Sequence, residues 1–170
     1  NLMRFAFLPA AVKKKDGSLR LCGDFSTGLN DALQDYHHPL PTAEEIFTKL
    51  NGGQVFSQID LKDAYLQVEV EASSQEYLTI NTHKGLYQYQ RLIFGVKTAP
   101  GIFQKIVDNL IAGLDGTAAY LDDLLITGRN QEEHDDRVRR LFERIQEFGL
   151  RVKMEKCSFG QPSVKYLGFI

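Results

Sequence analysis

Apolar residues recur at helical spacing in three segments of the chain. Thr42 and Glu45 form a capping box, which predicts a short helix over residues 43–50. Pro100 occupies a favoured first-turn position, and the segment after it predicts a helix of about four turns. The apolar positions of this second helix are Phe103, Ile106, Val107, Leu110, Ile111 and Leu114.

A third helix is predicted to begin after Asn130, which together with Glu133 provides an N-terminal cap. Gly149 is expected to end this helix. Its predicted core stripe comprises Val138, Leu141, Phe142, Ile145 and Phe148.

Shorter apolar segments separated by turn residues predict β-hairpins. Residues 8–25 contain the pair Asp16 and Gly17, a strong hairpin signal, and predict two strands joined there. Residues 77–81 and 86–90 predict a second hairpin. Helices that alternate with strands, with hairpins among them, indicate an α+β fold rather than a parallel sheet.

Acidic residues stand at the ends of two predicted strands. Residues 118–127 predict two strands with Asp122 and Asp123 at the bend, and the strand over residues 55–60 ends at Asp60. A pair of acids between apolar residues is most simply a surface turn. If the two segments are neighbours in one sheet, however, the carboxylates converge and need a divalent cation to remain ionised.

Such a carboxylate cluster suits Mg²⁺. Two ions about 3.5–4 Å apart can activate an attacking hydroxyl and stabilise a leaving oxygen in phosphoryl transfer. Because neighbouring strand residues point to opposite faces, we rank Asp122 above Asp123 as a metal ligand.

Composition narrows the function classes only modestly. The formal net charge of −2 and the pI of about 6.1 argue against a stand-alone nucleic-acid-binding protein. Residues 115–136 carry a formal charge of −6 and residues 137–170 one of +5, a pattern typical of solvated surface that also suits a metal site beside phosphate-binding walls. We expect no membrane span, and a start without Met leads us to expect a fragment of a longer protein.

Several ordered motifs resemble those of one family. Residues 56–65 (FSQIDLKDAY), residues 94–100 (FGVKTAP) followed by Phe103 and Gln104, and residues 120–123 (YLDD) are similar to motifs of the reverse transcriptases of gypsy-type long-terminal-repeat retrotransposons. The resemblance covers essentially the whole chain.

The resemblance implies an α+β, right-hand polymerase fold, in which the palm is an antiparallel sheet packed on helices and is joined to a fingers subdomain. It implies one reverse transcriptase domain fragment over residues 1–170. The fingers are expected at about residues 1–34 and 68–98 and the palm at about 35–67 and 99–170, with thumb, connection and RNase H absent.

The resemblance also assigns catalytic roles. Asp60 and Asp122 would bind the metal ions with help from the Leu61 carbonyl, and Asp123 would lie near the growing end of the primer as a further ligand. Lys156 falls where relatives place a lysine that protonates the leaving pyrophosphate.

Nucleotide binding is implied for a second set of residues: Lys14, Arg20, Tyr65, Phe94 and Gly95. Lys14 and Arg20 match a triphosphate-gripping pair. Tyr65 matches a steric gate that rejects ribonucleotides, although a plain core tyrosine is the alternative.

Primer and template contacts are implied for a third set of residues: Tyr120, Pro100, Gln104, Leu167 and Gly168. The expected partners are an RNA or DNA template-primer, deoxynucleoside triphosphates and the thumb, RNase H and integrase of the same polyprotein. The oligomeric state is left open. The implied cofactor is Mg²⁺, with Mn²⁺ as a substitute, and the implied location is a cytoplasmic virus-like particle or the nucleus.

Two alternatives remain at this point. Ile93 stands where most relatives have Pro, and Ser26 where many have Arg, so the chain could be a decayed or domesticated remnant without activity. An RRM-type nucleic-acid-binding module, with Tyr87 and Tyr89 as stacking platforms, is the other alternative. An RRM needs no acids at the centre of its sheet.

Overall fold

The computed structural model describes residues 7–14, 17, 19–26 and 28–166. The chain divides into two compact units, the first formed by residues 1–37 and 65–100 and the second by residues 38–64 and 101–170. The predicted assignment of the chain to fingers and palm stays a prediction.

The first unit contains two antiparallel hairpins. Strand β1 (Pro9–Lys13) pairs with β2 (Leu19–Gly23), which confirms the hairpin predicted over residues 8–25. Strand β4 (Thr79–Thr82) pairs with β5 (Gly85–Gln88). The strand predicted to begin at Tyr77 therefore begins two residues later.

Short helical turns connect these hairpins. They are helix α1 (Leu29–Ala32), a 3₁₀ turn (Ala64–Gln67), helix α3 (Ala72–Gln75) and a second 3₁₀ turn (Glu76–Leu78). The second 3₁₀ turn contains Tyr77, because Thr79 donates its hydroxyl to the Glu76 carbonyl and the chain becomes extended only from Thr79 onward.

The second unit is built on a four-stranded antiparallel sheet. Its strands are β3 (Val55–Asp60), β6 (Thr117–Tyr120), β7 (Asp123–Gly128) and β8 (Ser158–Gln161), in the spatial order β6-β7-β3-β8. The pairing of β3 with β7 confirms that the strand ending in Asp60 lies beside the acidic hairpin. Strand β8 was not predicted from the sequence.

Three helices accompany this sheet, and all three were predicted. Helix α2 (Ala43–Leu50) contacts β6, and α5 (Gln131–Glu147) contacts β7 and β3. Helix α4 (Ala99–Ile111) buries Phe103, Val107 and Leu110. A 3₁₀ turn (Met154–Lys156) precedes β8.

The predicted helix caps are confirmed. Thr42 Oγ1 accepts a hydrogen bond from Glu45 N, and the Glu45 carboxylate accepts one from Thr42 N, which completes the capping box of α2. Asn130 Oδ1 accepts a hydrogen bond from Glu133 N at the start of α5. The Arg129 side chain and backbone N–H donate to the Glu133 carboxylate and lower its pKa to about 2.

The core stripe of α5 was predicted wrongly at one end. Leu141 and Ile145 are buried, but Phe148 is 41% exposed because it caps the helix where the chain turns away. His134 takes part in the core instead, and its Nε2 lies 2.7 Å from Ser57 Oγ in β3. A histidine preceded by two glutamates carries no apolar signal for this burial.

The two faces of the sheet pack against different helices. Ser57 faces α5, whereas the residues that alternate with it in β3, including Asp60, lie on the face that α2 partly covers. The cluster on that second face comprises Ile46, Leu50, Ala118, Leu125 and Tyr166. Within the described ranges, no helix is long and apolar enough to cross a membrane.

Gly128 marks the closest approach of β7 to α5, and this contact generates a stability prediction. A Cβ at Gly128 would lie 2.4 Å from His134 N and 2.6 Å from His134 Cα, which are backbone atoms that cannot rotate away. Gly128→Ala should therefore lower the free energy of unfolding by about 2–3 kcal/mol in urea denaturation.

Gly149→Ala is the matched control for this substitution. Gly149 has φ +68°, and a methyl group added there would meet no atom within 4 Å, so only backbone strain of about 1 kcal/mol is expected. Equal losses in the two variants would show that the β7–α5 contact is not the cause.

Candidate active site

Three acidic residues lie at one end of the sheet in the second unit. Asp60, the last residue of β3, is the register partner of Asp123, the first residue of β7, and Asp123 in turn pairs with Tyr120 of β6. The bend between β6 and β7 consists of Leu121 and Asp122. The predicted bend at Asp122 and Asp123 was thus displaced by one residue, because Asp123 already pairs as a strand residue.

The bend has an unusual backbone that two hydrogen bonds hold in place. Leu121 has φ +53°, a conformation that costs an L-residue roughly 1–2 kcal/mol. Its N–H donates to Gln104 Oε1 at 2.8 Å, and the Asp122 carbonyl accepts from Leu61 N at 2.8 Å. The position of Asp122 is therefore fixed from both sides.

Two of the acids, Asp60 and Asp123, have a raised pKa. Burial raises the pKa of Asp60, and the nearby Asp122 carboxylate raises it further, while Lys156 opposes both effects. Burial also raises the pKa of Asp123, and a hydrogen bond from Gln58 opposes this increase. The Asp122 and Asp60 carboxylates raise the pKa of Asp123 further. A positive charge nearby favours the ionised form of such groups.

Lys156 provides one positive charge at this end of the sheet. Its Nζ lies 3.6 Å from Asp60 Oδ2, and its side chain is 58% exposed. The 3₁₀ turn that carries it is tied to β3, since Lys153 N donates to the Asp60 carbonyl at 2.8 Å. Lys156 therefore reaches the acids and solvent together.

The donor set fits a hard divalent cation. Carboxylate and carbonyl oxygens are the ligands that Mg²⁺ prefers, and Asp60, Asp122 and Asp123 supply three carboxylates whose mutual repulsion a cation would relieve. In the part of the chain that the structure describes, no three His, Cys, Asp or Glu side chains already converge as a metal site.

Three of the predicted nucleotide-binding residues are neighbours in the first unit. The Arg20 guanidinium carbon lies 4.0 Å from the centroid of the Phe94 ring, and the Tyr65 ring packs on Phe94 at a centroid distance of 4.6 Å. Arg20 is exposed, whereas Tyr65 is only 6% exposed. No sequence pattern indicated that Phe94 lies between them.

The remaining two nucleotide-binding candidates are part of turns. Gly95 has φ +104°, and a Cβ there would lie 2.4 Å from the Gly23 carbonyl oxygen, so only glycine fits. Its carbonyl accepts from Asn30 Nδ2, and Asn30 Oδ1 accepts from Lys97 N. The Lys14 carbonyl accepts from Gly17 N at the tip of the first hairpin.

The predicted primer and template residues have different environments. Tyr120 is half-buried beside Asp123, and Pro100 is half-buried in the first turn of α4. Gln104 is completely buried. Its side-chain amide forms hydrogen bonds with Asp108, Ala119 and Leu121. Its predicted template contact stays a prediction, and the geometry gives it a positioning role. Leu167 and Gly168 lie outside the described residues.

Sequence reasoning missed two residues that hold candidate site residues in place. Gln58 donates to Asp123 Oδ1 at 3.0 Å, and strand alternation already placed Gln58 on the face of Asp60. Asn30 holds the segment around Gly95 through contacts 65 and 67 residues apart in sequence. No local pattern could have indicated so distant a partner.

The two departures from the family pattern lie apart from the acids in sequence and have their own partners. Ile93 is buried, so it fills core space in the first unit. Ser26 is exposed and donates through its hydroxyl and its N–H to Asp24 Oδ1. Neither observation indicates loss of the carboxylate arrangement.

Comparisons with known proteins place this arrangement in a family. Residues 12–170 match the family of reverse transcriptases (RNA-dependent DNA polymerases). The uncharacterized protein K02A2.6 of Caenorhabditis elegans is 53% identical over 159 residues, and the transposon Tf2-3 polyprotein of Schizosaccharomyces pombe is 30% identical over 160 residues. Each alignment covers 93% of this chain but only 12% of the relative.

Solved structures agree on the fold. A foamy viral protease-reverse transcriptase in complex with double-stranded DNA superposes with a TM-score of 0.90 at 23% identity, over 96% of this chain and 29% of the viral one. A foamy viral protease-reverse transcriptase in complex with an RNA/DNA hybrid gives a TM-score of 0.86 at 22% identity, over 96% of this chain and 22% of that one. The predicted α+β polymerase fold is confirmed.

These matches leave the RRM-type alternative without support. Tyr87 and Tyr89, its proposed stacking platforms, belong to or follow β5 in a two-stranded sheet, not the four-stranded sheet that carries the acids. The transposon relatives are consistent with the gypsy-type resemblance that the motifs indicated. The chain belongs to the reverse transcriptase (RNA-dependent DNA polymerase) family.

Proposed function

We propose that this chain is the core of an RNA-directed DNA polymerase of a retrotransposon polyprotein. The reaction is nucleotidyl transfer from a deoxynucleoside triphosphate to a primer 3′-hydroxyl on an RNA or DNA template. The observation that carries the proposal is the register of Asp60 opposite Asp123, with Asp122 in the adjoining bend. Carboxylates gathered at one sheet end are the donor set for metal-assisted phosphoryl transfer.

Asp60 and Asp122, assisted by the Leu61 carbonyl, would hold two Mg²⁺ ions, and Mn²⁺ would substitute. When bound, the ions supply Lewis-acid activation of the attacking hydroxyl and neutralise charge on the leaving group. Gln58 fixes the Asp123 carboxylate, which we propose lies near the primer terminus. Leu61 N fixes the backbone of Asp122.

Lys156 is proposed to protonate the leaving pyrophosphate. Its ammonium is exposed and lies 3.6 Å from Asp60 Oδ2, so it is placed to donate a proton to a group bound beside the acids. Lys156→Arg would keep the charge but not the ready proton transfer.

Nucleotide binding is proposed for the first unit's Arg20, Phe94 and Tyr65. The Phe94 ring supports the Arg20 guanidinium from one side, which leaves the donors at its edge able to bind a triphosphate. Lys14 and Gly95 complete the proposed set. Tyr65 is proposed to contact the sugar.

The partners are proposed by the same resemblance. The viral enzymes were solved in complex with double-stranded DNA and with an RNA/DNA hybrid, and a template-primer is the corresponding proposal here. Thumb, RNase H and integrase segments of a common polyprotein are further proposed partners. The proposed location is a cytoplasmic virus-like particle or the nucleus. The residues proposed to lie on the path of the template-primer are Tyr120, Pro100, Leu167 and Gly168. Gln104, predicted with them, is buried and is proposed to act on this path through the Leu121 backbone.

Removing one carboxylate should abolish polymerisation. Asp122→Asn in a longer protein that carries this chain with the flanking segments of its relatives should lower kcat in primer extension by roughly 10²–10³-fold or more. Asp115→Asn, an exposed acid outside the hairpin, is the matched control. Full activity of Asp122→Asn would refute the role of Asp122 as a metal ligand. No activity in the unmodified protein would favour the non-catalytic remnant.

Divalent cations should stabilise the isolated chain. At a Mg²⁺ concentration of about ten times Kd, binding should raise the free energy of unfolding by roughly 1.4 kcal/mol. For a chain of this size, each kcal/mol corresponds to an increase in Tm of about 2–4 °C. The increase should vanish in Asp60→Asn and persist in Asp115→Asn, measured by thermal denaturation with Ca²⁺-free buffers. An equal increase in the unmodified chain and in Asp60→Asn would disprove the shared metal site.

Tyr65 generates a prediction on sugar selectivity. Tyr65→Val should keep deoxynucleotide incorporation within about an order of magnitude while ribonucleotide incorporation rises strongly, because the ring no longer fills the space of a 2′-hydroxyl. The measurement is the ratio of kcat/KM for the two sugars.

Tyr65→Phe keeps the ring on Phe94 and is the control for selectivity. Since Tyr65 is buried, the alternative is a plain core residue, for which Tyr65→Val would lose about 1–3 kcal/mol of stability and depress both substrates together. An unchanged ratio would remove Tyr65 from the nucleotide site.

A further inference from the structure

Gln104 is locked in one orientation beneath the acidic hairpin. Its Oε1 accepts from Leu121 N at 2.8 Å, while its Nε2 donates to the Ala119 carbonyl and to Asp108 Oδ1, both at 3.0 Å. The two amide hydrogens and the amide oxygen are thus all used. A flipped amide would set donor against donor at Leu121 and acceptor against acceptor at Ala119 and Asp108.

Asp108 is in turn held by a histidine from another segment. His38 Nε2 lies 2.6 Å from Asp108 Oδ2, so the two oxygens of one carboxylate connect His38 to Gln104. The side chains of His38 and Asp108 are 27% and 35% exposed. The chain of contacts therefore runs from the surface to a completely buried amide, and from there to the backbone of Leu121.

We propose that His38 and Asp108 are positioning residues that act through Gln104 on the bend formed by Leu121 and Asp122. Leu121 has φ +53°, so the bend relaxes unless outside groups hold it. One of its two holding contacts is the amide oxygen of Gln104, and the orientation of that amide depends on Asp108 as an acceptor.

The orientation of the Asp108 carboxylate depends on His38 because Asp108 is partly exposed to solvent. Without the His38 contact, a carboxylate that is one-third exposed can rotate toward water, where it is better solvated. Gln104 then keeps Ala119 as its acceptor but loses the contact that opposes rotation of its amide. Loss of His38 should thus loosen Leu121 without unfolding the sheet.

A cavity of about 640 Å³ gives access to the outer end of this relay. Its walls include His38 and Asp108, together with the charged residues Glu45, Lys49 and Asp115. The volume greatly exceeds that of a free imidazole molecule. Imidazole can therefore replace a deleted His38 side chain in place.

The direct test is amide hydrogen exchange of the purified chain by NMR. In His38→Ala, the Leu121 amide should exchange on the order of tenfold faster, which corresponds to about 1.4 kcal/mol. The Ile126 amide in the neighbouring β7 should keep its rate, and it serves as the internal reference. Equal acceleration at both amides would mean general destabilisation and would overturn the proposal, as would no change at Leu121.

Two rescue experiments separate positioning from general stability. Imidazole at about 50 mM should restore slow exchange at Leu121 in His38→Ala, and His38→Gln, which retains a donor near the Nε2 position, should show less than half of the acceleration. The matched control is His37→Ala, an exposed neighbour, which should leave Leu121 unchanged. Failure of both rescues would overturn the relay.

The functional part of this inference rests on the proposed polymerase activity, whereas amide exchange does not. In primer extension by the longer protein, His38→Ala should lower kcat by about tenfold with nucleotide KM within about twofold, and imidazole should recover it. Unchanged kcat with accelerated exchange would overturn the link to catalysis. Absence of activity in the unmodified protein would instead refute the proposed function and leave the exchange result valid.

Discussion

Like charges at the end of an apolar sheet are the constraint on which the second unit depends. Antiparallel pairing of β3 with β7 sets Asp60 opposite Asp123. Burial raises the pKa of both acids, and neighbouring carboxylates raise it further, so this place at the sheet end disfavours the ionised forms. The register cannot slip to relieve the repulsion, because a shift by one residue would turn the buried Ile59 and Leu124 toward the opposite face. Hydrophobic burial therefore holds the acids together.

Hydrogen bonds with four residues support the structure around the acids. Leu61 N and Gln104 hold the bend, Gln58 holds the Asp123 carboxylate, and Lys153 N ties the following segment to Asp60. These supports come from three segments of the second unit: the end of β3, helix α4 and the residue before the 3₁₀ turn (Met154–Lys156). Acidic residues that are to bind a cation benefit from such preorganisation, because little structural rearrangement then accompanies binding.

Local patterns were sufficient for the elements that depend on local physics. The capping residues Thr42 and Asn130 predicted where two helices begin, because each cap hydrogen bond joins residues only three positions apart. The Asp-Gly pair likewise predicted the first hairpin, because a turn signal depends on neighbouring residues alone. Strand β8 escaped prediction because its pairing partner, β3, is about 100 residues away and its own sequence is short and polar. The acidic site was predicted only where strand ends could be inferred, and the contacts of Gln104 and Asn30 required the tertiary structure.

In the first unit, one aromatic side chain contacts two neighbours. The Phe94 ring packs on Tyr65 and lies under the Arg20 guanidinium. A guanidinium held over a ring face keeps its edge donors directed away from the ring, and a buried tyrosine packed on the same ring has few rotamers available. Phe94 thereby restricts the placement of two other side chains.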